Sequence, residues 1–237
     1  MRRYRRWQAK DGLVPFRVAV KETDLYILAQ NALEQEAREA IIQLREQLEQ
    51  YIRANPLFQT SLVPLPTDPR APQIVKEMLA AAQTAGVGPM AGVAGAMAAF
   101  VGAALLAFTP EVVVENGGDI FLHTGFARTI GIFAGKSPLS MQVGISIPAE
   151  RQPLGVCTSS ATVGPSLSLG RADAVCVISP SATLADAAAT ALGNMVQGKG
   201  DIEQALEAGQ KIPGVEGVVI IVDDALGAWG GYELVKL

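Results

Sequence analysis

A chain of 237 residues that is 49% apolar and 18% charged can bury a full core, which excludes an intrinsically disordered protein. Its net charge of −4 makes no electrostatic case for nucleic acid as a partner. Only two cysteines occur, Cys157 and Cys176, in neither metal-type nor redox-type spacing, so disulfide and zinc scaffolds are not expected and a reducing cytoplasm is the simplest compartment.

The opening "MRRYRRWQAK" is basic and interleaved with aromatics. It reads as an edge strand protected by charge rather than as a binder of RNA or anionic lipid. "YRRWQA" and "LVPFRVAV" flank Asp11-Gly12, a hairpin signal, and "DLYILA" (24–29) continues as a strand or leads into a helix. Asn31 to Arg53 carries Leu33, Ala37, Ile41, Leu44, Leu48 and Ile52 on one stripe, which predicts a long amphipathic helix ended by Asn55-Pro56. That helix offers a surface for a homo-oligomer, although covering its own sheet is the simpler use.

Five prolines between 56 and 72 predict an extended connector, and Pro72 to Ala85 predicts a shorter helix. Val87 to Phe108 is uncharged and, at about 22 residues, long enough to cross a bilayer. Its Gly/Ala composition, Pro89 and the absence of a flanking Lys/Arg cluster argue instead for a buried central helix and no membrane. "EVVVENGGDIFLHTG" predicts strand, turn, strand, with further strands near Ile130 and over 141–147. "GVCTSSATVGPSLSLG" (155–170) reads as a Ser/Gly loop, too polar and small for a core strand. "DAVCVIS" predicts a strand feeding a helix over 182–194. A second helix near 202–208 and a closing hairpin in "GVVIIVDDALGAWGGYELVKL" follow. Runs of strands and of helices, without strict alternation, predict an α+β fold with a largely antiparallel mixed sheet, packed helices and one domain over 1–237.

Three segments can carry chemistry. In "ATLADAAATALGN", Asp186 and Thr190 lie one helical turn apart, so a carboxylate and a hydroxyl can reach one ion; two hard oxygen donors suit Mg²⁺. The structural alternative is a capping box of Thr183 with Asp186, and by spacing alone it leads. In "ENGGDI", Gly117 and Gly118 make a tight turn that also bares backbone N–H groups to a flat ring or phosphate, with Asp119 at its edge. In "CTSS", the hydroxyls of Thr158, Ser159 and Ser160 can line an anion-binding loop, and Cys157 at its entrance is a candidate nucleophile. His123, the single histidine, reads as a strand residue at a turn, and Asp223-Asp224 as a turn.

These segments occur in an order that resembles the ApbE-like superfamily, whose best-known members are FAD:protein FMN transferases. "VVVENGGDIFL", "GVCTSSATVG", "ATLADAAATALGN" and "VVIIVDDALGAWGGYEL" carry the resemblance. "FRVAVKETDLYI", "YIRANPLF" and "GVGPMAGVAGAMAAFVG" match that superfamily's smaller prokaryotic branch. The resemblance implies Mg²⁺ on Asp186 and Thr190, with a backbone carbonyl near Pro89, Met90 and Ala91 as a third ligand. It also implies FAD or FMN beside Gly117, Gly118 and Asp119 and against Thr158, Ser159 and Ser160. With the resemblance, the metal reading of Asp186 overtakes the cap. The transferases' Ala-Lys-Gly lysine and His-Ile-x-Asp-Pro histidine are absent here, where "PMAGVAG" and "LGRADAVCVI" stand. Three functions follow as expectations. One is Mg²⁺-dependent binding or processing of a flavin nucleotide or similar phosphate-bearing small molecule. Another is flavin or small-molecule binding without turnover, and the third is sulfur transfer or acyl acceptance by Cys157 with the anion-binding loop beside it; Asp119 and Cys157 are the candidate catalytic residues.

Overall fold

The computed structural model describes residues 12–162 and 169–237. Within it, Val14–Val20 (β1) and Thr23–Ala29 (β2) form an antiparallel pair turned at Lys21, whose φ is +52°. The first arm of the hairpin predicted around Asp11-Gly12 lies outside the described residues. Glu34–Ala54 (α1) realises the predicted amphipathic helix, with Ala37, Ile41 and Leu48 buried. The proline-rich stretch contains one short helix, Leu57–Thr60 (α2), and Gln73–Ala85 (α3) follows it.

The Gly/Ala segment holds the buried helix expected of it, preceded by a short turn. Pro89 opens a 3-10 turn over Pro89–Gly92, and Val93–Leu105 (α4) follows, buried among other elements. Among the described residues no single helix is long and apolar enough to cross a membrane, and α3 is bent by 108° from the 89–105 stretch.

Val112–Asn116 (β3), Asp119–His123 (β4), Arg128–Gly131 (β5), Val143–Ile147 (β6), Leu154–Ser159 (β7) and Ala174–Ser179 (β8) come next. Ala182–Met195 (α5), Ile202–Gln210 (α6), Gly217–Val222 (β9), Ala225–Gly230 (β10) and Glu233–Lys236 (β11) complete the order. Eight strands make one antiparallel sheet in the order β1-β2-β3-β4-β7-β8-β9-β10, and three make a second in the order β11-β6-β5. The fold is α+β, as the element runs predict.

The larger sheet is covered on both faces. Val175 and Val177 of β8 and Val218 and Ile220 of β9 pack toward the helices. Their neighbours Ala174, Cys176, Ile178, Val219 and Ile221 pack with Ile132, Ile145 and Ile147 of the three-stranded layer. A strand alternates its side chains between faces, so "AVCVIS" and "GVVIIV" read as unbroken apolar runs because neither face meets water.

The expectation of a loop over 155–170 is corrected at its start. "LGVCTS" is β7, a central strand paired with β4 and β8, and residues 163–168 of the segment lie outside the described residues. Its small residues answer to packing: a Cβ on Gly155 would lie 2.3 Å from Ala182 Cα and 2.7 Å from Ala182 N, so only glycine admits the start of α5 onto the sheet. Since those atoms are backbone, Gly155→Ala must push α5 outward. We expect it to destabilise the fold by about 2–3 kcal/mol, read as a lower urea midpoint at unchanged slope.

Candidate functional site

Asp186 sits in the second turn of α5, and its position is fixed from outside that helix. Its Oδ2 accepts the backbone N–H of Gly95 at 2.8 Å, in the first turn of α4. That N–H is one of the four a helix start leaves without an internal partner, so the carboxylate serves as a cap delivered by a different helix. Such proximity needs small residues. A Cβ on Gly95 would fall 2.2 Å from Ala182 O and 2.9 Å from Asp186 Cβ, and one on Gly92 would fall 2.9 Å from Thr183 O.

The capping box expected from Thr183 and Asp186 is not formed. Ser181 is the N-cap of α5, its hydroxyl accepting the N–H of Leu184 at 3.2 Å. Thr183 is buried inside the helix, and its Oγ1 has no hydrogen-bond partner. Spacing misled here because Ser181 and Thr183 both precede the alanine run and both are cap-forming types.

From the sheet side, β4 and β7 pair with Ile120 opposite Val156, which sets Asp119 beside Cys157 on the helix-facing surface. Burial pushes the Asp119 carboxyl well above the ordinary carboxylate range, and the Asp186 charge adds to it; the Thr158 backbone N–H and the Cys157 thiol only partly offset this. Burial likewise raises Asp186, against the Gly95 and Ala94 N–H groups that hold it down. Asp119 Oδ1 is buried without a partner. Two mutually repelling carboxyls, one with an unused oxygen, thus come together where α4, α5 and β4 converge.

The rest of the neighbourhood braces this meeting point. Gly117 and Gly118, at φ +75° and +113°, form the two-residue β3–β4 turn that "NGG" predicts. Glu115 Oε1 accepts the Gly118 N–H at 2.8 Å, and Asn116 Nδ2 donates to Ala94 O at 3.1 Å, tying that turn to α4. Pro89 is buried and Met90 half-buried in the 3-10 turn, while Ala91 packs with Ala187 and Ala191 of α5. Thr190 is half-buried one turn beyond Asp186.

Two expectations are corrected. The hydroxyls of "CTSS" do not line one surface. Thr158 pairs with Cys176 and turns to the three-stranded side, Ser159 faces α5 near Gly193, and Ser160 lies within 3.3 Å of Thr162 Oγ1. A strand's period of two separates neighbours that a loop would group. Cys157 lacks the character of a nucleophile. It is fully buried, its Sγ donates to Ala182 O at 3.3 Å, and burial together with Asp119 and Asp186 pushes its thiol well above its ordinary value.

Gly95 was not singled out by sequence reasoning, and Thr183, Glu115 and Asn116 were read only as cap, strand-end and turn residues. The Gly92-x-x-Gly95 spacing was the available signal, since small residues one turn apart permit a close helix contact. Among the described residues no three His, Cys, Asp or Glu side chains converge as a metal group. A cation here would therefore depend on the two aspartates, threonine hydroxyls and backbone oxygens.

A family model described as "AbpE bacteria" matches residues 5–231. The chain belongs to this family, and with it to the ApbE-like superfamily. Among its relatives, the UPF0280 protein of Methanocella arvoryzae is 41% identical over 212 residues, covering 89% of this chain and 86% of its own. That of Methanosphaerula palustris is 47% identical over 214 residues, covering 89% and 88%. In fold, this AbpE-family chain is similar to a variant of the flavin transferase ApbE from Vibrio cholerae (TM-score 0.59, 15% identity, 92% of this chain and 96% of that one). It is also similar to the Pseudomonas stutzeri flavinyl transferase ApbE (TM-score 0.55, 14% identity, 92% and 93%).

The raised carboxyls carry a pH signature. A carboxyl that holds its proton more tightly folded than unfolded subtracts stability as pH rises between the two pKa values. For Asp119 and Asp186 that interval opens at the ordinary 3.8 and extends upward. In the absence of divalent metal, Asp119→Asn is expected to gain stability over the parent chain as pH climbs through it, measured by urea denaturation at a series of pH values.

Proposed function

We propose that this chain binds, and in the presence of Mg²⁺ processes, a flavin nucleotide or a similar phosphate-bearing small molecule in the cytoplasm. The observation that carries the reading is the uncompensated oxygen cluster. Asp119 and Asp186 repel each other in a buried setting, and Asp119 Oδ1 and Thr183 Oγ1 have no partner. A hard divalent cation is the species that such a donor set lacks, since it favours both ionised carboxylates at once.

In this reading Asp186 and Thr190 hold Mg²⁺ from one face of α5, as hard oxygen donors one turn apart. A backbone carbonyl of Pro89, Met90 or Ala91 is the third ligand. Bound Mg²⁺ supplies charge neutralisation for a phosphate. The chain's own residues do the rest. The Gly95 N–H fixes the Asp186 carboxylate, and Asn116 fixes the hairpin turn against the same helix start. A Cβ on Gly118 would meet only Thr158 O, at 3.6 Å, so the turn leaves room for a planar ring beside it. Ser159, which ends β7 and faces α5, is the hydroxyl donor that this reading assigns to a phosphate. The flavin itself is taken from the names of the structural neighbours, which are flavin transferases.

A second reading, binding without turnover, is favoured by one observation. The chain has no lysine in "PMAGVAG" and no histidine in "LGRADAVCVI", the two places where the transferase pattern carries them.

Thr190→Val keeps the shape of the side chain and leaves the Asp186–Gly95 bond intact. It is expected to weaken Mg²⁺-dependent binding of FAD or FMN by about 10- to 100-fold, followed by quenching of flavin fluorescence with and without EDTA. Flavin binding that ignores both EDTA and this substitution would exclude the metal role; no binding of either flavin would exclude the flavin.

A further inference from the structure

We propose that a cleft at the far end of the β3–β4 hairpin is a second binding site, for a small organic cation bearing a primary ammonium group. It is independent of the flavin reading. β4 runs from Asp119 to His123, so the cleft lies about 13 Å along the strand from the aspartate cluster.

The cleft is an open groove offering about 390 Å³ beside the strand ends, room for a small molecule laid along it. Glu111 supplies its charge. This residue is 8% exposed, and its Oε1 is held by the Gly125 N–H at 2.6 Å. Its second oxygen has no hydrogen bond among the described residues and is not sealed from solvent. The walls around it are pinned. Thr109 Oγ1 donates to the Glu111 carbonyl at 3.0 Å, and the Thr124 N–H donates to Gln152 Oε1 at 2.6 Å.

His123 lines the same cleft, and its Nδ1 is buried with no hydrogen-bond partner.

The lining selects the class of occupant. Among the described residues no lysine or arginine lines the cleft, although Arg128 Nε donates to Oγ1 of the lining Thr124 at 3.3 Å, so the carboxylate of Glu111 is the charge an occupant meets there. A bare metal ion would find one carboxylate and one imidazole, too few donors among apolar walls. An ammonium group satisfies the carboxylate with a charge-assisted hydrogen bond, while Pro110 and the 58%-exposed Phe126 ring cover an alkyl or aryl body.

Because His123 is the chain's single histidine, its imidazole C–H signals report on the cleft without assignment. The full chain is titrated at constant pH with n-butylammonium and 2-phenylethylammonium, with butanoate as the charge-reversed control and Zn²⁺ as the metal control. Both amines are expected to shift the signals saturably, and butanoate is not. Glu111→Gln retains an acceptor for the Gly125 N–H and is expected to weaken amine binding about tenfold or more. Phe126→Ser, at the surface, is expected to weaken the phenyl amine about threefold, which keeps the test open if the Gln variant does not fold. No saturation by about 10 mM amine, equal binding of butanoate, or a response to Zn²⁺ alone would each overturn the proposal.

Discussion

A single hydrogen bond joins the two parts of the molecule that matter most. The Gly95 N–H to Asp186 Oδ2 contact places the start of one helix against the second turn of another. Everything near it is arranged to permit that approach. Gly92 and Gly95 remove side chains from α4, the alanines of α5 keep its own face thin, and Gly155 lowers the beginning of α5 onto the sheet. A carboxylate so placed cannot escape Asp119 on the strand beneath, and their mutual repulsion follows from the packing. The polar cluster is therefore a product of small-residue geometry, and larger residues at these glycines would separate its members.

Much of this was legible in the chain. The stripe from Leu33 to Ile52, the "NGG" turn, the strand "DAVCVIS" and the alanine-rich helix all appear where periodicity and turn chemistry put them. The α+β architecture followed from their order. Local signals failed where the deciding contact was distant. β7 looks like a loop because its glycine and hydroxyl residues are chosen by α5 above and by β8 beside it, neither of which a local window contains. Thr183 looks like a cap because nothing in the sequence says that Ser181 already serves.

The site residues divide the same way. Asp186 and Thr190 share a face by helical geometry alone, and Asp119 belongs beside a glycine turn. That Asp119 and Asp186 act on each other is a tertiary fact, requiring β4 to pair with β7 and α5 to cross them. Cys157 shows the converse. Its neighbours in sequence suggested a reactive thiol, and its neighbours in space give it a carbonyl to donate to and two carboxyls that disfavour its ionisation.

Strand β7 lies between β4 and β8, joining the strands of the N-terminal half to those of the C-terminal half. The Gly95–Asp186 bond bridges a separation of 91 positions across that seam. Contacts between such remote positions form late and slowly, because chain entropy must be lost before they stabilise anything. A nascent chain that has not yet extended past α5 thus has the glycine-lined helix start and the hairpin but no carboxylate from the second helix. Assembly of the polar cluster therefore waits until α5 has been made and has docked across the sheet.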